Sequence, residues 1–108
     1  MTEIPEVTVE PYVYRVSPFP PNTEAGRHWA AWLRSDGRGR WVVLSSLYMQ
    51  PEEYLAADGK WTYSRKDKIR HDFDTAKALA VAVIPGIRVN GYTIEDAAER
   101  WNKRGDDL

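Results

Sequence analysis

The stretch His28-Trp29-Ala30-Ala31-Trp32-Leu33-Arg34-Ser35-Asp36-Gly37-Arg38-Gly39-Arg40-Trp41-Val42-Val43-Leu44-Ser45 decides how this chain folds. Two apolar segments flank Asp36-Gly37, and Asp-Gly between apolar segments is the strongest short-range signal for a β-hairpin. The pattern predicts strands over His28–Arg34 and Arg40–Ser45. With Asp36-Gly37 as a two-residue turn, Trp32 falls opposite Trp41, Leu33 opposite Arg40, Ala31 opposite Val42 and Trp29 opposite Leu44. A four-residue loop, Asp36 to Gly39, keeps Trp32 and Trp41 on one face. A five-residue loop parts them, and is expected to set Arg34 against Arg40, a like-charge pair. Trp29 and Trp32 are three apart, so in a strand they point to opposite faces. Both faces of the hairpin are therefore apolar, and either both are covered or one is a binding surface.

Working outward, Tyr54–Ala57 and Lys60–Ser64 form a second hairpin around Asp58-Gly59, pairing Ala56 with Trp61 and Tyr54 with Tyr63. Val7–Val16 reads as a strand with a phase break, which Pro11 confines to an edge or a bulge. Ser17–Thr23 is an extended surface loop. Asp74 or Thr75 caps a helix through Ile84, and Pro85-Gly86 stops it. That helix is apolar all round, which predicts a buried central position. Ile87–Val89 is a short strand before an Asn90-Gly91 turn. Thr93 then caps a last helix, with Asp96 three residues on as a variant capping box. Ile94, Ala97, Ala98 and Trp101 form one apolar stripe on it. The expected fold is α+β: an antiparallel meander sheet built from two Asp-Gly hairpins, with two helices packed on one face. The 108 residues suit a single domain, 1–108, with 1–6 and 105–108 frayed. Helices on one face leave the other face of the sheet to be explained.

The chain has no cysteine, which excludes disulfides and thiolate metal sites. Its first ten residues carry acids and a proline, unlike a signal peptide. No apolar run reaches membrane-spanning length. A cytoplasmic protein without membrane association is expected. His28 and His71 are the only bases that titrate near neutrality. His71-Asp72 beside Asp74 reads as a charged loop entering a helix cap rather than a metal corner. Asp58-Gly59-Lys60 is explained by its turn, and Ser45-Ser46 lacks a paired base. Neither a phosphate-binding glycine loop nor a nucleophile elbow is present. The expectation is no enzyme, no metal and no cofactor.

The net charge of −1 conceals an uneven distribution. Residues 1–25 carry −3, residues 26–70 carry +4, and residues 71–108 carry −2. The basic middle also holds four of the five tryptophans, and three of them, Trp32, Trp41 and Trp61, flank the Asp-Gly turns. Basic groups engage phosphates while aromatics stack, and Trp, Tyr and Arg are also the residues enriched at protein-interface hot spots. The expected contact face comprises Trp32, Trp41, Arg40, Lys60, Trp61, Tyr63, Arg65 and Lys66. Trp29 and Trp101 are expected to be core.

Gly59-Lys60-Trp61, a basic stretch, then Phe73-Asp74-Thr75 with Ala78 and Ala82 resembles the small β-β-β-α domains of phage and prophage proteins. The arm-type DNA-binding domains of phage integrases are similar in outline. The resemblance covers residues 59–82. It implies a three-stranded sheet that reads DNA through strands carrying Trp41, Lys60 and Trp61. The chain departs from that pattern in its overall acidity, its N-terminal strand region and its extra C-terminal helix. The expectation from these features is a small non-catalytic interaction protein, phage- or prophage-encoded, that docks an aromatic-basic sheet face on a protein partner. Binding nucleic acid through the same face is the alternative. Composition leaves the oligomeric state open.

Overall fold

A computed structural model describes residues 4–64 and 69–104, with side chains as far as Arg100. Five antiparallel strands lie side by side in chain order. They are β1 (Val13–Val16), β2 (Ala31–Ser35), β3 (Trp41–Leu44), β4 (Tyr54–Leu55) and β5 (Trp61–Thr62). The helices are α1 (Glu24–His28), α2 (Phe73–Val83) and α3 (Ile94–Arg104), and a 3₁₀ turn at Ile84–Gly86 follows α2. The class is α+β and the sheet is a meander, as the sequence implies. Of the ends expected to fray, 1–3 and 105–108 lie outside the described residues.

Both Asp-Gly hairpins form, in registers other than those expected. In the first, Ser35 pairs with Trp41, Arg34 with Val42, Leu33 with Val43 and Trp32 with Leu44. The Asp36 N–H donates to the Arg40 carbonyl at 3.0 Å, which leaves Gly37-Arg38-Gly39 as the loop. Asp36 Oδ1 accepts the N–H groups of Arg38 at 2.8 Å and Arg40 at 3.2 Å. Asp36 is thus the residue that closes the loop, not one that turns it. Trp32 and Trp41 consequently lie on opposite faces, which corrects the expected pairing. Arg34 sits opposite Val42, so no like-charge pair opposes this register. In the second hairpin, Tyr54 pairs with Thr62 and Leu55 with Trp61, not Tyr54 with Tyr63 or Ala56 with Trp61. The Ala56 N–H reaches the Lys60 carbonyl at 2.9 Å, and the Gly59 N–H reaches the Ala56 carbonyl at 3.0 Å. Gly59 has φ +82°, so Ala57-Asp58-Gly59 is a three-residue loop ending in a left-handed glycine.

The strand expected from His28 starts only at Ala31, because α1 occupies 24–28. Thr23 Oγ1 caps this helix by accepting the Gly26 N–H at 3.0 Å. Gly26 is required there, since a Cβ would stand 1.9 Å from the Pro20 carbonyl oxygen. Only Val13–Val16 of the expected Val7–Val16 strand pairs. The preceding described residues lie outside the ladder and are exposed, Val9 to 99%. The N-cap of α2 is Asp72, whose Oδ1 accepts the Thr75 N–H at 2.7 Å, rather than Asp74 or Thr75. Ile87–Val89 is no strand. Val89 and Tyr92 form an isolated two-way pair around Asn90-Gly91, whose φ values of +51° and +83° suit a two-residue type I′ turn. Thr93 and Asp96 make the expected capping box, through Thr93 N–H to Asp96 Oδ2 at 2.9 Å and Asp96 N–H to Thr93 Oγ1 at 3.1 Å.

The pairings place Tyr14, Leu33, Val43, Leu55 and Trp61 in one row across the sheet. Leu33, Val43 and Leu55 form a fully buried core with Ala31 and with Ala76, Ala80 and Ile84 of the α2 segment. Two alanines let α2 sit close on the sheet. Its other side, Ala78, Val81 and Ala82, is exposed, so α2 is not buried all round. It lies on the sheet with one face, and among the described residues no second layer covers it. The main neighbour of α3 is α1, across a cluster of Phe19, Ala25, Trp29 and Ala97. Trp29 is core, as expected, and its indole N–H donates to the Tyr92 carbonyl at 3.2 Å. The side chain of Trp101 lies outside the described residues.

The second face of the sheet carries the row Arg15, Trp32, Leu44, Tyr54 and Thr62. It too is covered, by the chain's own 45–53 segment. Val42, Leu44 and Tyr54 are buried there with Trp32 and Leu47 packed on them. Glu52 ties the segment down. Its carboxylate accepts two bonds from the Arg34 guanidinium and one, at 2.9 Å, from the Tyr54 hydroxyl.

Candidate functional site

The expected contact residues do not share a face. Trp32 is half-buried on the 45–53 side, whereas Trp41 and Trp61 pack against the core under α2. Arg40 and Lys60 are exposed at the two hairpin loops, and Tyr63 is exposed just after β5. Arg65 and Lys66 lie outside the described residues. What the fold does instead is send Trp41 and Trp61 to two concavities at opposite ends of the β2–β3 hairpin.

The first concavity is an aromatic notch of about 300 Å³ at the loop end. Tyr14 comes from β1, Trp41 from the start of β3, and Phe73 from the first turn of α2. Their ring centroids stand 5.5 Å (Tyr14–Trp41), 5.2 Å (Tyr14–Phe73) and 5.2 Å (Trp41–Phe73) apart, all tilted or edge-on. These are favourable aromatic geometries. Tyr14 is 39% exposed, and Glu10, Pro11, Ser35, Gly37 and Gly39 complete the wall. The position of Trp41 is fixed from behind. Its backbone N–H and C=O both pair with His71, at 2.7 and 2.8 Å. His71 is itself buried, and its Nε2 has no hydrogen-bond partner among the described residues.

Glu10 puts a carboxylate in the wall of the notch, and cationic charge nearby comes from the hairpin loop. The side chains of Arg38 and Arg40 are exposed and make no hydrogen bond or ion pair among the described residues. Arg70 is engaged by Asp36 at 3.2 Å. The N–H of Arg38, helped by that of Arg40, holds the Asp36 carboxyl below the usual carboxylate range. Asp36 therefore stays ionised and keeps the loop shaped.

The second concavity, about 490 Å³, lies at the far end of the same strands. Trp61 forms part of its wall. Arg27 and His28 from the end of α1, Ser45 and Glu53 from the segment after β3, and Arg88 from the turn after α2 complete it.

Tyr14 and Phe73 were not among the residues expected from sequence. Tyr14 alternates in phase with Tyr12 and Val16, which marks a strand face but not a site. Arg27 and Arg88 are too far apart in the chain for any spacing to join them. Among the described residues no cluster of three or more His, Asp or Glu side chains could hold a metal ion. No described helix is long and apolar enough to cross a membrane. Comparison with protein-family models, curated proteins and solved structures finds no significant match to this chain.

Proposed function

We propose that this protein is a small non-catalytic interaction module, an accessory factor of the kind phages and prophages encode, that docks a partner protein at the aromatic notch. The observation that carries the reading is the convergence of Tyr14, Trp41 and Phe73, three rings from three separate elements, around an open concavity. Rigid aromatics present a large amphipathic area at small entropic cost, which is why they anchor interfaces. Pro11, Gly37 and Gly39 leave room for a backbone to approach. The partner segment fitted here is extended, with an aliphatic or proline side chain for the rings and an acidic flank for Arg38 and Arg40. Nucleic-acid binding through Trp32, Trp41 and Trp61 together loses support, because those three do not share an open face.

The test is a photo-reactive phenylalanine analogue in place of Tyr14, with the same analogue at Val81 as a control. Irradiation in a bacterial lysate treated with nuclease is expected to give one cross-linked protein from position 14 and none from 81. The cross-link should map to an extended segment with an acidic flank, and Arg40→Glu should abolish it. A product that vanishes with nuclease points to nucleic acid instead. Equal products from both positions overturn the reading.

A further inference from the structure

We infer that the cleft at the other end of the β2–β3 hairpin is a separate site for a small anionic ligand with a planar ring, of the nucleoside monophosphate class. Three observations converge on it.

The first is unspent charge. Arg34 and Arg70 each pair with a carboxylate. Arg27 makes no side-chain hydrogen bond or ion pair among the described residues. Arg88 makes only loose contacts, from Nη1 to the carbonyls of Gly86 at 3.3 Å and Ile87 at 3.4 Å. Both guanidiniums border one cleft, with the His28 imidazole beside them. Two guanidiniums without a carboxylate partner among the described residues, with an imidazole at the same concavity, are a donor set for phosphate oxygens.

The second is the acid in the wall. Glu53 borders the same cleft and forms no ion pair with either arginine. A simple anion site gains nothing from a carboxylate. A ligand with both a phosphate and hydroxyl donors uses it, as carboxylates elsewhere take ribose hydroxyls. The third is Trp61, a half-buried indole in the wall, against which a base can stack. The volume of about 490 Å³ lies within the range of about 300–1,000 Å³ usual for small-molecule sites.

There is a plainer role for Arg27 and His28, since cations in the last turn of a helix favour its carboxyl end. That role acts on stability alone, and α1 has only five residues. The two roles separate cleanly in an experiment.

Isotope-labelled protein is titrated with adenosine monophosphate, and in parallel with inorganic phosphate and with adenosine. Backbone amides and tryptophan indole N–H signals are followed by NMR, with the Trp61 signal assigned through Trp61→Phe. Adenosine monophosphate is expected to shift Trp61 and the amides of 27–28, 53 and 88 saturably, and more tightly than either fragment. The exposed double variant Arg27→Gln/Arg88→Gln should keep its spectrum dispersed and bind at least about tenfold more weakly. Glu53→Gln provides a second, independent loss, and Arg38→Gln/Arg40→Gln should bind as the parent does. Shifts no greater than those from inorganic phosphate overturn the inference. So does unchanged affinity in both cleft variants, with or without a change in melting temperature. None of these outcomes bears on the notch, which lies at the opposite end of the strands.

Discussion

The two faces of the sheet are equally well buried and are covered by different means. On one, Leu33, Val43 and Leu55 lie beneath α2, a regular helix that brings two alanines close to the strands. On the other, Val42, Leu44 and Tyr54 lie beneath an irregular segment, 45–53, held by the Glu52 carboxylate, by Leu47 and by one backbone bond from the Ser45 N–H to the Glu53 carbonyl at 3.3 Å. A helix satisfies its own backbone and can cover a face through packing alone. An irregular segment needs specific polar anchors, because its backbone brings no internal hydrogen-bond ladder. Equal burial therefore conceals unequal rigidity.

The sharpest way to break that comparison is to cut one cavity under each cover. Leu33→Ala should destabilise by about 3–5 kcal/mol, because sheet and helix are both fixed and cannot close on the void. Leu44→Ala should cost less, about 2–3 kcal/mol, since the overlying segment can settle inward. Denaturant unfolding of the two variants checks this, and equal or reversed costs refute the difference in rigidity. Next in size is Glu52→Ala, which leaves Arg34 and the Tyr54 hydroxyl without that partner. About 1–2 kcal/mol is expected, the lower part of the range because Arg34 and Glu52 remain partly solvated. Hydrogen exchange should quicken across 45–53 and stay unchanged in α2.

On the helical side, Asp72→Ala removes the N-cap of α2 and should lower the melting temperature by less than Glu52→Ala does. Three carboxylates bonded by backbone N–H groups contribute to the response to acid. Asp36, Asp72 and Asp96 are held below the usual range chiefly by the backbone N–H groups of Arg38, Thr75 and Thr93. A carboxyl lowered on folding contributes stability above its unfolded value of about 4 and loses it as the pH falls through its folded value. Thermal melts from pH 7 downward should thus stay level until about pH 4 and then drop. The triple variant Asp36→Asn/Asp72→Asn/Asp96→Asn should show a shallower drop. The smallest effect belongs to the exposed side of α2. Val81→Lys should change stability by no more than about 0.5 kcal/mol, where a helix buried all round would not tolerate the charge.

Much of the architecture was legible because it depends on patterns longer than one turn. The meander follows from apolar segments punctuated by Asp-Gly, and the α3 cap follows from Thr93 and Asp96. Register was not legible, because the dipeptide does not set loop length. Asp36 closes a loop, Asp58 sits within one, and only Asn90-Gly91 is a two-residue turn. One residue more in either Asp-Gly loop shifts every pair, and in the first hairpin it separates Trp32 from Trp41. The five-residue α1 is too short to show helical periodicity, and its cap at Thr23 sits inside a proline-rich loop. The single-sided burial of α2 escaped a composition argument, since alanine is at home both in a core and in an exposed helix. Of the site, Trp41 and Arg40 could be picked out as unusual residues. Their company could not, because Tyr14 and Phe73 meet Trp41 only through tertiary folding.

Pro11 bears on a different matter, how this protein behaves at high concentration. The Tyr12 carbonyl accepts the Ser35 N–H at 2.9 Å, so backbone alternation turns the nitrogen of Pro11 toward the free edge of β1. That nitrogen carries no proton. Directly upstream is Glu6-Val7-Thr8-Val9-Glu10, a β-prone run that is exposed and outside the ladder. A run of this kind continuing an edge strand is a template on which further chains could stack. The missing donor interrupts that template where the run meets the sheet, and the acids at either end of the run repel a second copy. The margin of the sheet thereby resists edge-to-edge growth through one missing proton and two acids.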